Sequence, residues 1–381
     1  MTSDASCLHL ASVRWWNAGA HYAVSVAAGL QAAGIPVRML GRPRSPLIVE
    51  AAKRGISTEE RLALERLNPA AMIANVVRLR SLLRENVSLI NANRPEDHIF
   101  VALARRGLTD PPPFVRTVSD VRPPRDNRVN RWLHCPATDH FIFTCRASLE
   151  RYQARWPVFE GRSTVIHAAV DCDTFRPRGA DPALRQRLGI PREAVVIALL
   201  ARWAPVKDHR TFCRAAARLI ANRGEVRVLI SGEADELSRA DIEGEIGAAG
   251  IREATILLER SPEWPIQELL AMTDIGVVTS RGSEVVSRIA AEYMASGIPQ
   301  VATRVNVLPE MIDDGASGLL VPAGDPEALA AALQRLVEDG ELRGAMGAAA
   351  RKAALHRFHP DRLTAETRAV YEALWESRLR R

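Results

Sequence analysis

Short apolar runs alternate with longer amphipathic stretches through most of this chain, and that alternation restricts the possible folds more than any other feature. An apolar run at Ile275 to Val278, for example, is followed by helically spaced apolar residues up to Gly297, and another apolar run begins at Gln300. Short apolar runs of this kind are typical of strands buried on both faces, and strands that alternate with helices form parallel sheets. Because 381 residues are more than one such sheet requires, we expect two doubly wound α/β domains.

The alternating pattern starts twice, which predicts where one domain ends and the next begins. The first series opens with a strand at 8–13, and the second opens with an unbroken apolar strand at 195–201, after turn-forming residues at 171–178. We therefore expect a first domain over residues 1–172 and a second over 178–360. The last segment, 361–381, has an apolar stripe that needs a partner surface, and we expect this helix to dock back on the first domain and to bury Trp375.

Cysteine usage and hydropathy exclude several classes of protein. The five cysteines are scattered, odd in number and form no Cys-x-x-Cys pair, so we expect neither a disulfide framework nor a metal site. No apolar stretch is long enough to cross a bilayer, and the N-terminus lacks the pattern of a secretory signal. These features favour a cytoplasmic protein, either soluble or peripheral at the inner face of the cytoplasmic membrane.

Positive charge is concentrated in the first half of the chain. Residues 1–172 carry 23 Lys and Arg against 15 Asp and Glu, whereas the whole chain has a net charge of +6. Such an excess attracts anionic partners such as membrane lipid, acidic glycolipid or nucleic acid. No nucleic-acid-binding motif accompanies the charge, so an anionic membrane is the favoured partner and nucleic acid is not expected. Ordinary solvated faces in an arginine-rich composition are an alternative interpretation.

Two carboxylates frame the helix expected after the strand at 275–278. If Ser283 caps this helix, Glu284 lies in its first turn and Glu292 lies two turns later, about 12 Å along nearly one side. The positive N-terminus of the helix would face any phosphate bound between them. Two glutamates on one helix are more commonly a solvated face, so this pattern alone does not define a site.

A lysine after the first strand of the second domain stands out by composition. The chain has only three lysines, Lys53, Lys207 and Lys352, against 48 arginines. A lysine retained in a strand-to-helix loop therefore suggests a requirement for a compact ammonium. Together with Arg202, Lys207 has the chemistry to neutralise a diphosphate, although chance retention of the lysine is an alternative.

The first domain offers weaker candidates at the ends of its expected strands. The loop RWWNAGA, with Asn17 and Gly19, follows the first strand, where open parallel sheets bind ligands. A later strand ends at Ser119 and Asp120. His98 falls in the first turns of a helix, where a lone histidine is usually a structural hydrogen-bonding group. We include these five residues as candidates for the acceptor side of a site.

The chain resembles the retaining glycosyltransferases of the GT-B fold, close to glycosyltransferase family four. The segment ARWAPVKDHRTFCRAAARL, the Glu-x7-Glu pattern of Glu284 and Glu292, and GASGLLVPAGDPEALAAALQRL are similar to the family's second domain. The resemblance is looser in the first domain and continues through VIHAAVDCDTFRP. It implies two Rossmann-like domains facing a cleft.

The resemblance also implies a role for each candidate in the second domain. Arg202 and Lys207 would neutralise the departing diphosphate, Glu284 would hold the donor sugar and Glu292 would hold the ribose. The donor phosphates would lie against the segment of Val285, Val286, Ser287 and Arg288, with the backbone N–H groups of Val286 and Ser287 as donors. No cofactor would be needed besides the nucleotide-diphosphate sugar, because these cations and the helix N-terminus stabilise the leaving charge.

The chain departs from the family pattern at several of these positions. Val285, Val286 and Ser287 stand where the family usually has Gly, an aromatic residue and Gly. Arg288 replaces an apolar residue and has the reach to pair with Glu284 or to contact the donor. Ser119 stands where many members have a histidine, so an active-site histidine is not expected there.

We therefore expect an enzyme that transfers a sugar from a nucleotide-diphosphate sugar to a hydroxyl acceptor with retention and without a metal. A lipid-linked glycan or a lipopolysaccharide core is the acceptor that suits a basic first domain. Two alternatives remain open, a nucleotide-sugar 2-epimerase of similar fold and a non-catalytic nucleotide-sugar-binding protein. An oxidoreductase is disfavoured, because the first strand is not followed by Gly-x-Gly-x-x-Gly.

Overall fold

A computed structural model describes residues 6–59, 62, 68–222, 226–282 and 284–380. The chain divides into two compact units. The first unit contains the chain up to Ala169 and from Pro360 onward, and the second contains Val170–His359. The crossover at Ala169 and Val170 comes three residues before the expected boundary at 172, so the turn-rich segment 171–178 belongs wholly to the second unit.

In the described part of the first unit, seven parallel strands form one sheet in the order β3-β2-β1-β4-β5-β6-β7. Helices connect most of these strands. The strands are β1 (Ser6–Leu10), β2 (Val37–Leu40), β3 (Ser57–Glu59), β4 (Val87–Ala92), β5 (Phe114–Val118), β6 (His140–Phe143) and β7 (Ser163–Val165). The helices are α1 (Ala18–Ala32), α2 (Pro46–Lys53), α3 (Pro69–Leu82), α4 (Pro95–Arg105), α5 (Arg128–His134) and α6 (Arg146–Arg155).

The second unit repeats this plan with a six-stranded parallel sheet, counted over its described residues, in the order β10-β9-β8-β11-β12-β13. The strands are β8 (Val195–Leu200), β9 (Val226–Gly232), β10 (Thr255–Glu259), β11 (Ile275–Val278), β12 (Gln300–Thr303) and β13 (Leu319–Val321). The helices are α7 (Pro182–Arg187), α8 (His209–Asn222), α9 (Arg239–Ala248), α10 (Ile266–Ala271), α11 (Arg288–Ala295), α12 (Leu308–Met311), α13 (Pro326–Glu338) and α14 (Gly340–Arg357). The predicted pair of doubly wound α/β domains is confirmed.

Strand order places a crevice at the same point of each sheet. The order reverses between β1 and β4 in the first unit and between β8 and β11 in the second. At such a reversal the loops after the two central strands lead away in opposite directions, and ligands of open α/β sheets bind in the crevice between them. The loops after β1, β4, β8 and β11 are therefore the first places to look for function.

Local sequence explains where several helices of the first unit begin. Asn17, Ser45, Asn68 and Asn127 cap α1, α2, α3 and α5, because each side chain accepts a hydrogen bond from a backbone N–H in the first helical turn. Proline stands in the first turn of α2, α3 and α4, where its missing N–H costs no helical hydrogen bond.

The terminal helix α15 (Pro360–Leu379) lies in the first unit and packs against α1. Tyr371 is fully buried, and its hydroxyl bonds Asn91 Nδ2 at 2.8 Å and His9 Nε2 at 3.0 Å. Trp375, which we expected to be buried, is only half-buried. Its indole N–H donates to the backbone oxygen of Ser88 at 2.8 Å, at the end of the helix where the side chain borders solvent.

Candidate functional site

The loop after β8 carries Arg202 and Lys207. A short 3-10 turn over Pro205–Lys207 leads into Asp208, whose backbone has the left-handed conformation with φ of 54°. The Asp208 carboxylate accepts from the backbone N–H of Thr211 at 3.4 Å, which caps α8, and from Arg281 Nε at 2.7 Å, which ties this loop to the loop after β11.

The loop after β11 is longer than we predicted. Helix α11 begins at Arg288, so Glu284 lies in the loop and not in the first helical turn, and the expected cap Ser283 lies outside the described residues. The carbonyl of Glu284 accepts from the N–H of Val307 at 2.9 Å, and the carbonyl of Gly282 accepts from Asn306 Nδ2 at 2.6 Å. Because these carbonyls bond the loop after β12, they do not start a helical ladder. The expectation of two carboxylates on one helix is therefore wrong.

Lys207 and Glu284 form a largely buried ion pair across these two loops. The Lys207 ammonium contacts Glu284 Oε1, and Ser280 Oγ donates to the same oxygen at 2.6 Å. Burial acts to raise the pKa of Glu284, but the positive charge of Lys207 and the surrounding donors outweigh it and hold the pKa below its ordinary value. Glu284 is thus an ionised carboxylate, although only 3% of the residue is exposed to solvent.

A pocket of about 730 Å³ lies beside the carboxyl ends of β8, β9 and β10. Arg202, Arg288 and Glu292 from the predicted set line it, together with Glu233 and Arg260. Burial raises the pKa of Glu292, and the charges of Arg288 and Arg260 oppose that rise. The pocket therefore combines three guanidinium groups with a nearly buried carboxylate.

The predicted cations do not share one partner. Arg202 is exposed and forms an ion pair with Asp235, whereas Lys207 pairs with Glu284. Arg288 donates to Glu292 Oε1 at 3.2 Å. The alternative that Arg288 pairs with Glu284 is not what the structure shows. Val285 is partly exposed in the loop, and Val286 and Ser287 are buried directly before the helix.

Two of the first-unit candidates lie together at the sheet edge. A Cβ added to Gly19, in the first turn of α1, would come within 3.2 Å of Ser119 Oγ, so the start of α1 and the residues after β5 approach each other closely there. Asp120 accepts from Tyr152 at 3.2 Å and remains partly exposed. Asn17 is exposed, and its side chain is used as the cap of α1, accepting from the N–H of Ala20 at 2.9 Å.

His98 is not on the acceptor side. Its side chain faces the core, where Nε2 bonds Thr138 Oγ1 at 2.7 Å and the ring stacks edge-on to His134 and Phe114. Burial lowers the pKa of His98 well below its ordinary value, so the ring is neutral and structural. His98 is buried because it lies on the face of α4 that packs against the sheet.

The neighbouring Asp97 is a residue that sequence reasoning missed. Its Oδ2 accepts from the N–H of Ser12, two residues after β1 ends, at 3.0 Å, and its side chain is fully buried. Burial raises the pKa of Asp97 to about 6, against the opposing effects of Ser12, Arg116 and Arg94. The sequence signal for Asp97 was its acidic side chain in the first turn of α4. Glu96 beside it gives the same signal, and acidic residues are common at helix starts, so the sequence did not single out Asp97. Glu233 and Arg260 were also missed, and each directly follows a strand.

Among the described residues, no three or more His, Cys, Asp or Glu side chains are grouped so that they could hold a metal ion. In the same part of the chain, no helix combines the length and apolarity needed to span a membrane.

Family models match both halves of the chain. The model described as "Glycosyltransferase Family 4" matches residues 19–174, and that described as "Glycosyl transferases group 1" matches residues 180–353.

Curated relatives match more weakly. A D-inositol 3-phosphate glycosyltransferase of Streptomyces avermitilis is 30% identical over 252 residues, which cover 64% of this chain and 54% of that protein. One from Nocardioides sp. is 33% identical over 201 residues, which cover 50% and 44%. The chain thus spans about half the length of the curated relatives it matches.

Solved structures resemble this chain over nearly its whole length. A glycosyltransferase from Rickettsia africae has a TM-score of 0.85 at 17% identity, covering 97% of this chain and 98% of the other. Anabaena Alr3699/HepE, solved in complex with UDP and glucose, has a TM-score of 0.81 at 19% identity, with coverage of 97% and 100%. At these identities the likeness establishes the fold.

Proposed function

Because the chain belongs to the group 1, family four glycosyltransferases of the GT-B fold, we propose that it transfers a sugar from a nucleotide-diphosphate sugar to a hydroxyl acceptor with retention. The observation that carries this proposal is the Lys207–Glu284 pair at the carboxyl ends of β8 and β11. The same loops lead into the pocket of Arg202, Arg288 and Glu292. The site therefore offers a cation for a leaving phosphate and carboxylates for the hydroxyls of a sugar and a ribose. The structures of Alr3699/HepE with UDP-glucose and with UDP support a donor of this class.

Each side chain has a role in this reaction. Lys207 and Arg202 stabilise the negative charge that develops on the diphosphate as the bond from the sugar's anomeric carbon to the phosphate oxygen breaks. Glu284, held ionised, accepts hydrogen bonds from the donor sugar's hydroxyls, and Glu292 accepts those of the ribose. The acceptor oxygen forms its bond to the anomeric carbon on the face that the phosphate leaves, and its proton passes to the departing phosphate oxygen. Charge stabilisation thus comes from protein cations, and no metal or cofactor takes part.

We place the acceptor at an anionic membrane surface, as a lipid-linked glycan or a lipopolysaccharide core. Helices α3 and α4 of the first unit pack side by side and leave apolar side chains in solvent. Ile73 and Val77 are 66% and 61% exposed, one turn apart on α3, and Leu103 of α4 is 38% exposed. Two exposed arginines lie near the C-terminal end of α3. Arg78 is on the helix, and Arg84 is two residues past its last residue. Apolar side chains flanked by arginines suit a peripheral contact with anionic lipid.

The donor is tested by a panel of UDP-, GDP- and ADP-sugars, first by thermal stabilisation of the protein and then by turnover with glycan and lipid-linked acceptors. We expect one donor class to raise the melting temperature, to give a product that keeps the donor's anomeric configuration, and to be turned over equally in EDTA. Isomerised donor without any acceptor would identify an epimerase, and binding without turnover would identify a non-catalytic protein. Activity lost in EDTA and restored by Mg²⁺ or Mn²⁺ would contradict the metal-free reaction.

The membrane contact is tested by sedimentation with vesicles. We expect the protein to sediment with phosphatidylglycerol vesicles and not with phosphatidylcholine vesicles, and the double variant Ile73→Asp, Val77→Asp to lose most of this binding. Carboxylates in the apolar stripe are both poorly soluble in the lipid interface and repelled by anionic headgroups. Leu355→Asp is the matched control, because Leu355 is equally a solvent-exposed helical residue, 45% exposed, in the second unit. Equal binding by wild type and double variant would refute this surface.

A further inference from the structure

Arg288 is a pocket residue at which the chain departs from the family pattern, since it replaces an apolar residue. It is the first residue of α11, it lines the pocket, and its guanidinium donates to Glu292 Oε1 at 3.2 Å. Its Nε is buried and has no hydrogen-bond partner among the residues that the structure describes. The side chain as a whole is 31% exposed, so it lies partly over the carboxylate and partly in the pocket.

Helix stability does not explain an arginine at this position. A positive charge at a helix N-terminus opposes the macrodipole, and an ion pair four residues apart is weaker with the cation first. Helix α9 begins with an equivalent pair, in which Arg239 is the first helical residue and contacts Glu243, four residues later, at 2.8 Å. Both side chains of that pair are largely exposed, at 47% and 40%.

Burial of the carboxylate sets the pair on α11 apart from the one on α9. The side chain of Glu292 is only 9% exposed, and an isolated carboxylate in such a place is costly to keep ionised. Arg288 provides the only ion pair to Glu292 found among the described residues. A carboxylate has two oxygens, so a bond from Arg288 to Oε1 leaves Oε2 for another donor.

We propose that Arg288 is a positioning residue for donor binding, which holds Glu292 ionised and fixes its Oε1 so that Oε2 is presented to the ribose hydroxyls of a nucleoside diphosphate. This inference rests on the proposed function. Arg288 acts through Glu292, so its contribution depends on the ribose hydroxyls and on pH. The contribution of a guanidinium that simply bound a phosphate would not depend on the ribose hydroxyls, and it would shrink as the pH falls, because the terminal phosphate loses charge near its pKa of about 6.

Other charged groups around Glu292 set the background for the pH dependence. Arg202, Glu233 and Arg260 line the same pocket from the loops after β8, β9 and β10, and Glu259 lines it from the end of β10. From α14, Arg351 donates to the carbonyl of Ala295 at the far end of α11. Burial already raises the pKa of Glu292, and Arg288 opposes that rise. Removing Arg288 therefore moves the pKa of Glu292 further up, so protonation weakens ribose binding at a higher pH than in the wild type.

The test measures the dissociation constants of UDP, GDP and ADP by calorimetry between pH 5 and 8. The nucleotide that binds the wild type most tightly is then measured again in its 2′,3′-dideoxy form. We expect Arg288→Leu to weaken binding at pH 7 by about tenfold or more, since a hydrogen bond to a charged group is lost. The weakening should grow as the pH falls. Binding of the dideoxy nucleotide should change less than about twofold, and Arg288→Lys should recover most of the affinity. Arg239→Leu, the matched change on α9, should leave every constant unchanged.

The outcomes separate this inference from the function on which it rests. Equal weakening for the ribose and dideoxyribose nucleotides would show that Arg288 acts on the phosphates and would overturn the proposal. So would wild-type affinity and an unchanged pH profile in Arg288→Leu. If none of the three nucleotides binds the wild type, the proposed function fails and the inference fails with it.

Discussion

We expect Lys207→Ala to reduce turnover with the true donor by roughly 30- to 1,000-fold, equivalent to about 2–4 kcal/mol of transition-state stabilisation. The ammonium lies in a largely buried setting against Glu284, with 17% of its side chain exposed. A charge held in place in this way needs no reorganisation when negative charge develops on the leaving phosphate, so its loss is felt mainly in the chemical step. The measurement is kcat and KM with the donor identified by the panel.

The same substitution removes the partner of a buried carboxylate, and the controls must separate the two effects. Without Lys207 the pKa of Glu284 rises, because burial is then opposed by fewer groups. An unpaired buried carboxylate is costly while it is ionised, so Lys207→Ala should lose most stability at high pH and regain stability as the pH falls towards the raised pKa of Glu284, which thermal unfolding between pH 5 and 8 detects. Lys352→Ala, at an exposed position on α14, should change neither turnover nor stability. A loss of less than tenfold at pH 8 in a fully folded variant would remove Lys207 from the mechanism.

Tyr371→Ala should destabilise the protein by about 3–5 kcal/mol, the range for removing a large aromatic ring from a core. The ring packs edge-on to His9 at 5.9 Å between centroids, and its hydroxyl is bonded on both sides by buried groups. Deleting it leaves a cavity beneath α15 and removes a partner from Asn91 and from His9. Denaturant unfolding followed by tryptophan fluorescence measures the change.

Two companion variants check the origin of this loss. Tyr371→Phe keeps the ring and should cost only about 1–3 kcal/mol, since it removes the hydroxyl alone. Leu379→Ala, on the same helix but 87% exposed, should change stability by less than about 0.5 kcal/mol. Wild-type stability in Tyr371→Ala would mean that α15 contributes little to the first unit.

The parts of the fold that follow from periodicity were predictable, and so were the loops that carry the second-unit candidates. Apolar runs locate strands because a strand covered on both faces has no polar alternative. The strand ends therefore locate Arg202 and Lys207 in the loop after β8 and Glu284 in the loop after β11. The start of α11 was not predictable in this way. It depends on carbonyls at 282 and 284 that bond residues 306 and 307, and no local pattern records a contact between residues as far apart as the 24 positions from 282 to 306.

Side-chain orientation was the second thing that sequence reasoning could not supply. His98 and Asp97 are adjacent in the first turns of α4, yet one bonds Thr138 in the core and the other bonds the backbone of Ser12. Similarly, Tyr371 and Trp375 lie one turn apart on the same stripe, but only Tyr371 is fully enclosed. Periodicity identifies the buried face of a helix, while the depth of each residue depends on the tilt of the helix over its neighbours.

The first unit is interrupted in sequence by the whole of the second, and this order has a consequence for biosynthesis. At the usual 5–20 residues per second, a ribosome needs about 10–40 s to make the 190 residues of Val170–His359 before α15 begins to emerge. Throughout that interval the nascent first sheet and α1 lack the helix that supplies Leu363 and Tyr371 to their shared core. The second unit, being continuous, completes its own core first. The first unit is therefore the last to complete its core, and until α15 is made the surface that packs against Leu363 and Tyr371 stays uncovered.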